Sequence, residues 1–313
     1  MNSIGPNKKS YLILTLKACV SCSLLYLIFN DIQLKDLMNI IGNTNTGSLP
    51  YIFCIYLLQI TLMSFRWNTL LDFMNYSPGV FACFKNIWAG EIFNQALPST
   101  IGGDIFRAYA LHEKSIPLSL AIKSIIIDRL LGLIGLVFLI LVCAPLSLYF
   151  YFGTELRATY IIFFSSIIIT CIILILTAFF IKSSSRKNYI ILTILKIKAE
   201  ILPLLKQQNL LAKLISYSIT IHIGSILIII LLCQSLRLEI PLIALAAIVP
   251  IMSLLSMMPI SISGWGIREA VMIYGLKSLL IPQQEVLSLS VLYGLSLAAC
   301  SIPGGIFILQ KQK

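Results

Sequence analysis

The 313-residue chain is 58% apolar and only 11% charged, with a mean hydropathy of +0.96 and a formal net charge of +11. Soluble domains carry roughly 25% charged residues, so this composition excludes a water-soluble globular fold and points to an all-α integral membrane protein. The excess of 23 basic over 12 acidic residues does not describe a nucleic-acid binder, because the bases fall in loops between apolar runs. Their expected partner is the anionic headgroup layer of the membrane.

Runs of about 20 mostly apolar residues can cross roughly 30 Å of hydrocarbon. They occur at 11–29, 49–67, 124–150, 159–181, 210–235, 240–262 and 285–309, with a shorter apolar segment at 268–281. About seven to eight transmembrane helices are therefore expected, in a single polytopic membrane domain covering 1–313. The first run follows Lys8 and Lys9, as a signal peptide would, but it contains Lys17 and no clean small-x-small cleavage site. It is expected to stay as the first helix. Arg66, beside Trp67 at the end of the second run, reads as an interfacial anchor. Segment 80–97 places Glu91, Asn94 and Gln95 at i, i+3 and i+4, on one face of a helix. Two readings stay open for it: an interfacial helix held by Trp88, or the first arm of a re-entrant hairpin ending at Pro98. His222, inside a span, reads as a neutral imidazole sharing a helix-to-helix hydrogen bond. The eight cysteines sit mostly in apolar runs and read as small buried hydrophobes. The Cys19-x-x-Cys22 pair has no second ligand pair, so neither a metal nor a cofactor is expected.

Segment 182–213 holds Lys182, Arg186, Lys187, Lys196, Lys198, Lys206 and Lys213 against one acid, Glu200. By the positive-inside rule the N-terminus, 66–123 and 182–209 are expected to be cytoplasmic, and Lys311 with Lys313 place the C-terminus there too. An even number of crossings then requires 268–281 to complete one, and the setting is a multi-pass protein of the cell (inner) membrane.

A ten-residue stretch occurs twice. Pro98-Ser99-Thr100-Ile101-Gly102-Gly103-Asp104-Ile105-Phe106-Arg107 aligns without a gap with Pro259-Ile260-Ser261-Ile262-Ser263-Gly264-Trp265-Gly266-Ile267-Arg268. Both copies break an apolar chain with proline and glycine and end on an arginine that lipid rejects. Paired breaks of this kind point to two structural repeats with re-entrant or broken helices around a shared site. A helix starting after each break would present free N–H groups and a positive dipole end to an anion. Gly102, Gly103, Gly264 and Gly266 allow close backbone approach, Thr100, Ser261 and Ser263 add hydroxyl donors, and Arg107 and Arg268 add a planar fork suited to phosphate. Asp104 belongs to the same predicted substrate site. Internal ion pairing is the competing role for the arginines, with Asp104, Glu269 and the Asp128–Arg129 pair within reach. Entry to both copies is expected from the cytoplasmic half.

Phe65-Arg66-Trp67, Leu97-Pro98 with Gly102-Gly103-Asp104 and Arg107, Asp128-Arg129, and Pro259 with Ser263-Gly264-Trp265-Gly266-Ile267-Arg268-Glu269 resemble the lysylphosphatidylglycerol synthase transmembrane-region family, also called flippase-like. The resemblance covers essentially the whole chain and implies a polytopic inner-membrane protein with re-entrant helices. In the best-understood members it also implies movement of a lipid between leaflets. There the membrane region precedes a cytoplasmic aminoacyl-transferase domain, whose synthase activity is not carried over to this chain. Trp265 stands where the family often has a smaller residue.

These residues lead to the expectation of a translocase for a phosphate-bearing lipid, an anionic phospholipid or a polyprenyl-phosphate-linked glycan. No G-x-x-x-x-G-K-[ST] motif is present. Transport would therefore be downhill, ion-coupled or partner-driven, with Glu91, Asp104, Asp128 and Glu269 as candidate proton carriers and Arg129 in support. The alternatives are a membrane-embedded transferase and an accessory subunit for a glycosyltransferase or synthase.

Overall fold

Helix α1 (Leu49–Phe73) follows a short 3-10 turn, Thr46–Ser48, in which the Asn45 side chain accepts the Gly47 N–H at 2.9 Å. Pro50 sits in its first turn, where a missing N–H costs nothing. After it come α2 (Val80–Ala96), α3 (Ile101–His112), α4 (Leu118–Phe150), α5 (Gln208–Leu236), α6 (Leu242–Met257), α7 (Ile267–Leu276) and α8 (Gln283–Ser301). A 3-10 turn, Ile302–Gly305, carries α8 into the short α9 (Ile306–Leu309). This computed structural model describes Gly42 and residues 44–96, 101–113, 116–150, 157–159, 161–162, 164–166, 169, 199–257, 261 and 263–309. The predicted spans 11–29 and most of 159–181, the Cys19/Cys22 pair, and Pro98, Thr100 and Pro259 lie outside the described residues.

Among the described residues, four helical stretches are long and apolar enough to cross a membrane: Thr46–Phe73, Leu118–Pro145, Gln208–Leu236 and Gln283–Leu309. They match the runs predicted at 49–67, 124–150, 210–235 and 285–309. The protein is an all-α multi-pass membrane protein. The remaining helices are shorter. At 1.5 Å per residue, the 12 residues of α3 and the 10 of α7 reach only about 18 and about 15 Å, roughly half the hydrocarbon thickness.

These short helices pair into two hairpins. In the first, α2 packs along α3 so closely that a Cβ on Gly103 would lie 2.5 Å from both Asn94 Oδ1 and the Gly90 carbonyl. In the second, α6 packs along α7, with Ile248 against Gly275 and Ser256 against Gly264. Segment 80–97 is thus a hairpin arm packed against α1, α3 and α8. Trp88 is half-buried there and donates to the Cys300 carbonyl at 3.0 Å, so it acts as an internal contact and not as an interfacial anchor. Likewise 240–262 is the first arm of a hairpin whose return arm is 268–281. Among the described residues neither arm is long enough to be a span of its own.

A shift of 161 residues, the separation of Arg107 and Arg268, carries α1 onto α5, α2 onto α6, α3 onto α7 and α4 onto the stretch from α8 to α9, to within about five residues. The packing follows the same rule: α1 on α2 matches α5 on α6, α3 on α4 matches α7 on α8, and α4 on α6 matches α8 on α2. The equivalent helices α1 and α5 run antiparallel. Asn45 donates its backbone N–H to Ser235 O at 3.1 Å and Ser48 bonds Ser235, whereas at the other end Phe65 stacks on Tyr217 and Arg66 reaches Ser218. Midway, Gln59 Nε2 donates to Ile221 O at 2.7 Å and Ser225 Oγ at 3.1 Å, over the bare backbone of Gly224. Small residues at such a crossing let helices approach without a hydrophobic drive. The halves are therefore inverted repeats, and α2 and α6, each following its repeat's first helix, set out from opposite faces. That corrects the expectation of cytoplasmic entry to both copies.

Candidate site at the two hairpin tips

The tips of the two hairpins meet. Ser263, in the second copy of the motif, donates its hydroxyl to the Asn94 carbonyl at 2.7 Å and lies 3.3 Å from that of Gln95, at the end of α2. Ser263 itself has φ of 49°, and Gly264 and Gly266 have φ of 78° and 86°. Three residues in the left-handed region fold the chain into a tight turn, for which glycine is the ready residue. Glu269 Oε2 then takes the Gly266 N–H at 2.6 Å and closes the start of α7. In the first copy the Asn94 side chain plays a corresponding part, accepting the Gly103 N–H at 3.0 Å.

Around each tip lies a buried arginine. Arg107 is 5% exposed, donates from Nη2 to Asp128 Oδ2 at 3.0 Å and lies 4.0 Å over the Trp67 ring. The other oxygen of Asp128 accepts from Arg66 Nε at 2.8 Å, and Arg66 Nη1 donates to Ser218 Oγ at 2.9 Å. One carboxylate thereby holds two arginines, from α1 and α3, and ties both to α4, while Ser218 ties Arg66 to α5 as well. Asp104 reaches Arg107 only at 3.7 Å and instead bonds Arg129 Nε. In the second half Arg268 is also 5% exposed. Its Nε and Nη2 donate to Glu269 Oε1 at 3.0 and 2.8 Å, Ser290 supports the same oxygen at 3.1 Å, and the guanidinium lies 4.5 Å over Trp265 and 5.8 Å from the centre of Tyr293. Trp265 is the plate on which this arginine rests.

Of the predicted site residues, Gly102, Gly103, Asp104, Arg107, Ser261, Ser263, Gly264, Gly266 and Arg268 do gather at the two tips. Arg107 and Arg268 are turned into internal ion pairs there, which is the competing role that sequence left open. The more accessible guanidinium is Arg129, with a side chain 33% exposed beside Asp104 at 17%. Glu91 and Asn94 are half-buried on the adjoining arm, with Asn94 Nδ2 donating to Glu91 Oε1 at 3.2 Å. Among the described residues, no hydrogen-bond partner reaches the hydroxyl of Ser261, 3% exposed, that of Tyr56, or the Nε of Arg107. Sequence reasoning misplaced Arg66: it is 5% exposed and belongs to the ion network, not to the interface. The signal was an arginine at the end of an apolar run with an acid, Asp128, at the start of another. Ser218 and Ser290 carried no signal of their own. His222 does form a helix-to-helix bond, to the Gly132 carbonyl at 3.1 Å.

The sequence model of the "Lysylphosphatidylglycerol synthase TM region" matches residues 14–304. The chain belongs to this family. It is also 30% identical over 123 residues to a UPF0104 membrane protein of Methanocaldococcus jannaschii, a match covering 37% of this chain and 35% of that relative. The chain thus matches about a third of that protein's length. The family match contains both hairpins, three of the four described spans and α8 of the fourth, so the arginine pairs fall wholly within the lysylphosphatidylglycerol synthase TM region.

Proposed function

We propose that this protein moves a phosphate-bearing lipid, an anionic phospholipid or a polyprenyl-phosphate-linked glycan, between membrane leaflets. The observation that carries the reading is the contact of Ser263 with Asn94 and Gln95, which brings together the tips of two helical hairpins coming from opposite faces. Broken helices meeting at repeat interfaces are where transporters hold substrates. The headgroup is drawn to Arg129 beside the start of α3, while Arg107 and Arg268 hold the tips in shape through their ion pairs. The lipid tails stay in the bilayer. Transport alternates by movement of the two hairpins about the α1/α5 seam that joins the repeats.

The test is reconstitution in vesicles with labelled phosphatidylglycerol and labelled polyprenyl phosphate. Flip rates well above those of empty vesicles, reduced at least tenfold in Arg129→Ala without loss of thermal stability, support the reading. Rates equal to empty vesicles for both lipids overturn it.

A further inference from the structure

The carboxylates around the two tips are not alike. Asp128, Asp104 and Glu269 each have an arginine at hydrogen-bonding distance. Glu91 instead takes its hydrogen bond from the neutral amide of Asn94. A carboxylate bonded only by a neutral donor is costlier to ionise than one bonded by an arginine.

The charge of the whole cluster turns on this one group. Arg66, Arg107 and Arg129 face Asp104 and Asp128, three cations against two anions, so the cluster carries +1 when Glu91 is protonated and 0 when it is ionised. The charged or titratable groups acting on Glu91 are Asp104 and Arg107 from α3 and Arg129 from α4. From α1, Tyr56 is within reach of its charge, and α8 brings the Cys300 thiol near Tyr56. The segment 302–309, also packed on α2, carries no titratable side chain. The Tyr56 side chain is 5% exposed, and its hydroxyl has no protein partner.

We infer that Glu91 is a proton-binding site, and that one proton is taken up there together with one monoanionic phosphate headgroup. The inference rests on the lipid-moving function proposed above. Water at the half-exposed face of α2 supplies the proton to a Glu91 carboxylate oxygen. The protonated site then has one positive charge in excess, which a phosphodiester matches. Loss of the proton returns the cluster to neutrality and releases the anion. The same proton acts on the tips through Asn94. Its amide donates to Glu91, its Oδ1 accepts the Gly103 N–H of the first tip, and its carbonyl accepts the Ser263 hydroxyl of the second. A hydrogen bond to a carboxylate is about twice as strong as one to a neutral acid, so protonation loosens the residue that joins both hairpins.

Two measurements separate this inference from the lipid function itself. In detergent, wild-type protein should bind a fluorescent short-chain phosphatidylglycerol more tightly as pH falls. One linked proton gives a slope of at most about tenfold per pH unit. Glu91→Gln, a permanent mimic of the neutral acid, should bind it with no such slope. A flat wild-type profile, or a slope that survives in Glu91→Gln, overturns the proton role and leaves the lipid function standing. The second measurement uses no lipid. One component of the infrared band of protonated carboxyl groups should be present in wild-type protein at low pH, fade as pH rises, and be missing from the Glu91→Gln spectrum taken at the same pH. Spectra identical in the two proteins overturn the proton site whatever the lipid result, whereas the expected band with no lipid binding at any pH overturns the lipid function and the coupling together.

Discussion

The two halves share a backbone plan but neutralise their arginines in different ways. In the first, Arg107 on α3 reaches Asp128 on α4 and shares it with Arg66 of α1, so the charge is balanced by residues far apart in sequence. In the second, Arg268 pairs with Glu269, the next residue along the same helix. The second arrangement is local and survives movement of α7 as a unit. The first is tertiary, and moving α3 away from α4 breaks it. The difference teaches that inverted repeats can keep geometry while assigning rigidity to one hairpin and switchable charge to the other.

The largest effect should come from Asp128→Ala, which strands two buried guanidinium groups. Removing one partner of a buried pair costs about 3–5 kcal/mol, and a collapse of thermal stability in detergent checks it. Glu269→Ala should cost about 3 kcal/mol on the same measurement, because one arginine is stranded and the Gly266 N–H loses its acceptor. If Glu269→Ala proves the more damaging, the second half is the structural keystone and the comparison inverts. Gly103→Ala drives a Cβ to 2.5 Å from the Gly90 carbonyl and should cost about 1–3 kcal/mol through overpacking, with a loss of transport as the hairpin opens. Ser263→Ala should cost only about 0.5–1.5 kcal/mol in stability, yet change the transport rate, since the bond lost is the one joining the tips. The Lys123–Glu200 pair, partly exposed outside the hairpins, provides the baseline: Lys123→Ala should cost under about 1 kcal/mol and leave transport unchanged.

The four long spans were legible because about 20 apolar residues have few alternatives, and the tips were legible because proline, glycine and arginine cannot be placed casually in lipid. The charge partners were not. Sequence proximity favours Asp104 for Arg107, three residues apart on one helix, but that face of α3 packs against α4 and Asp128 comes closer. Arg66 was misread for a related reason: an arginine next to tryptophan at a span end fits an interface until α4 and α5 are folded over it. The direction of the second hairpin was hidden as well. It depends on α1 and α5 lying antiparallel, and no residue pattern within either helix states that.

The α1/α5 seam has one more consequence. It is pinned at both ends and at its middle, by Ser48 with Ser235, Gln59 with Ile221 and Ser225, and Arg66 with Ser218. Sliding by one turn would break all of these bonds at once, so the two helices form a fixed spine. In the transport proposed above, opening to either side falls to the hairpins, which would swing from it like doors hung on opposite sides of one post.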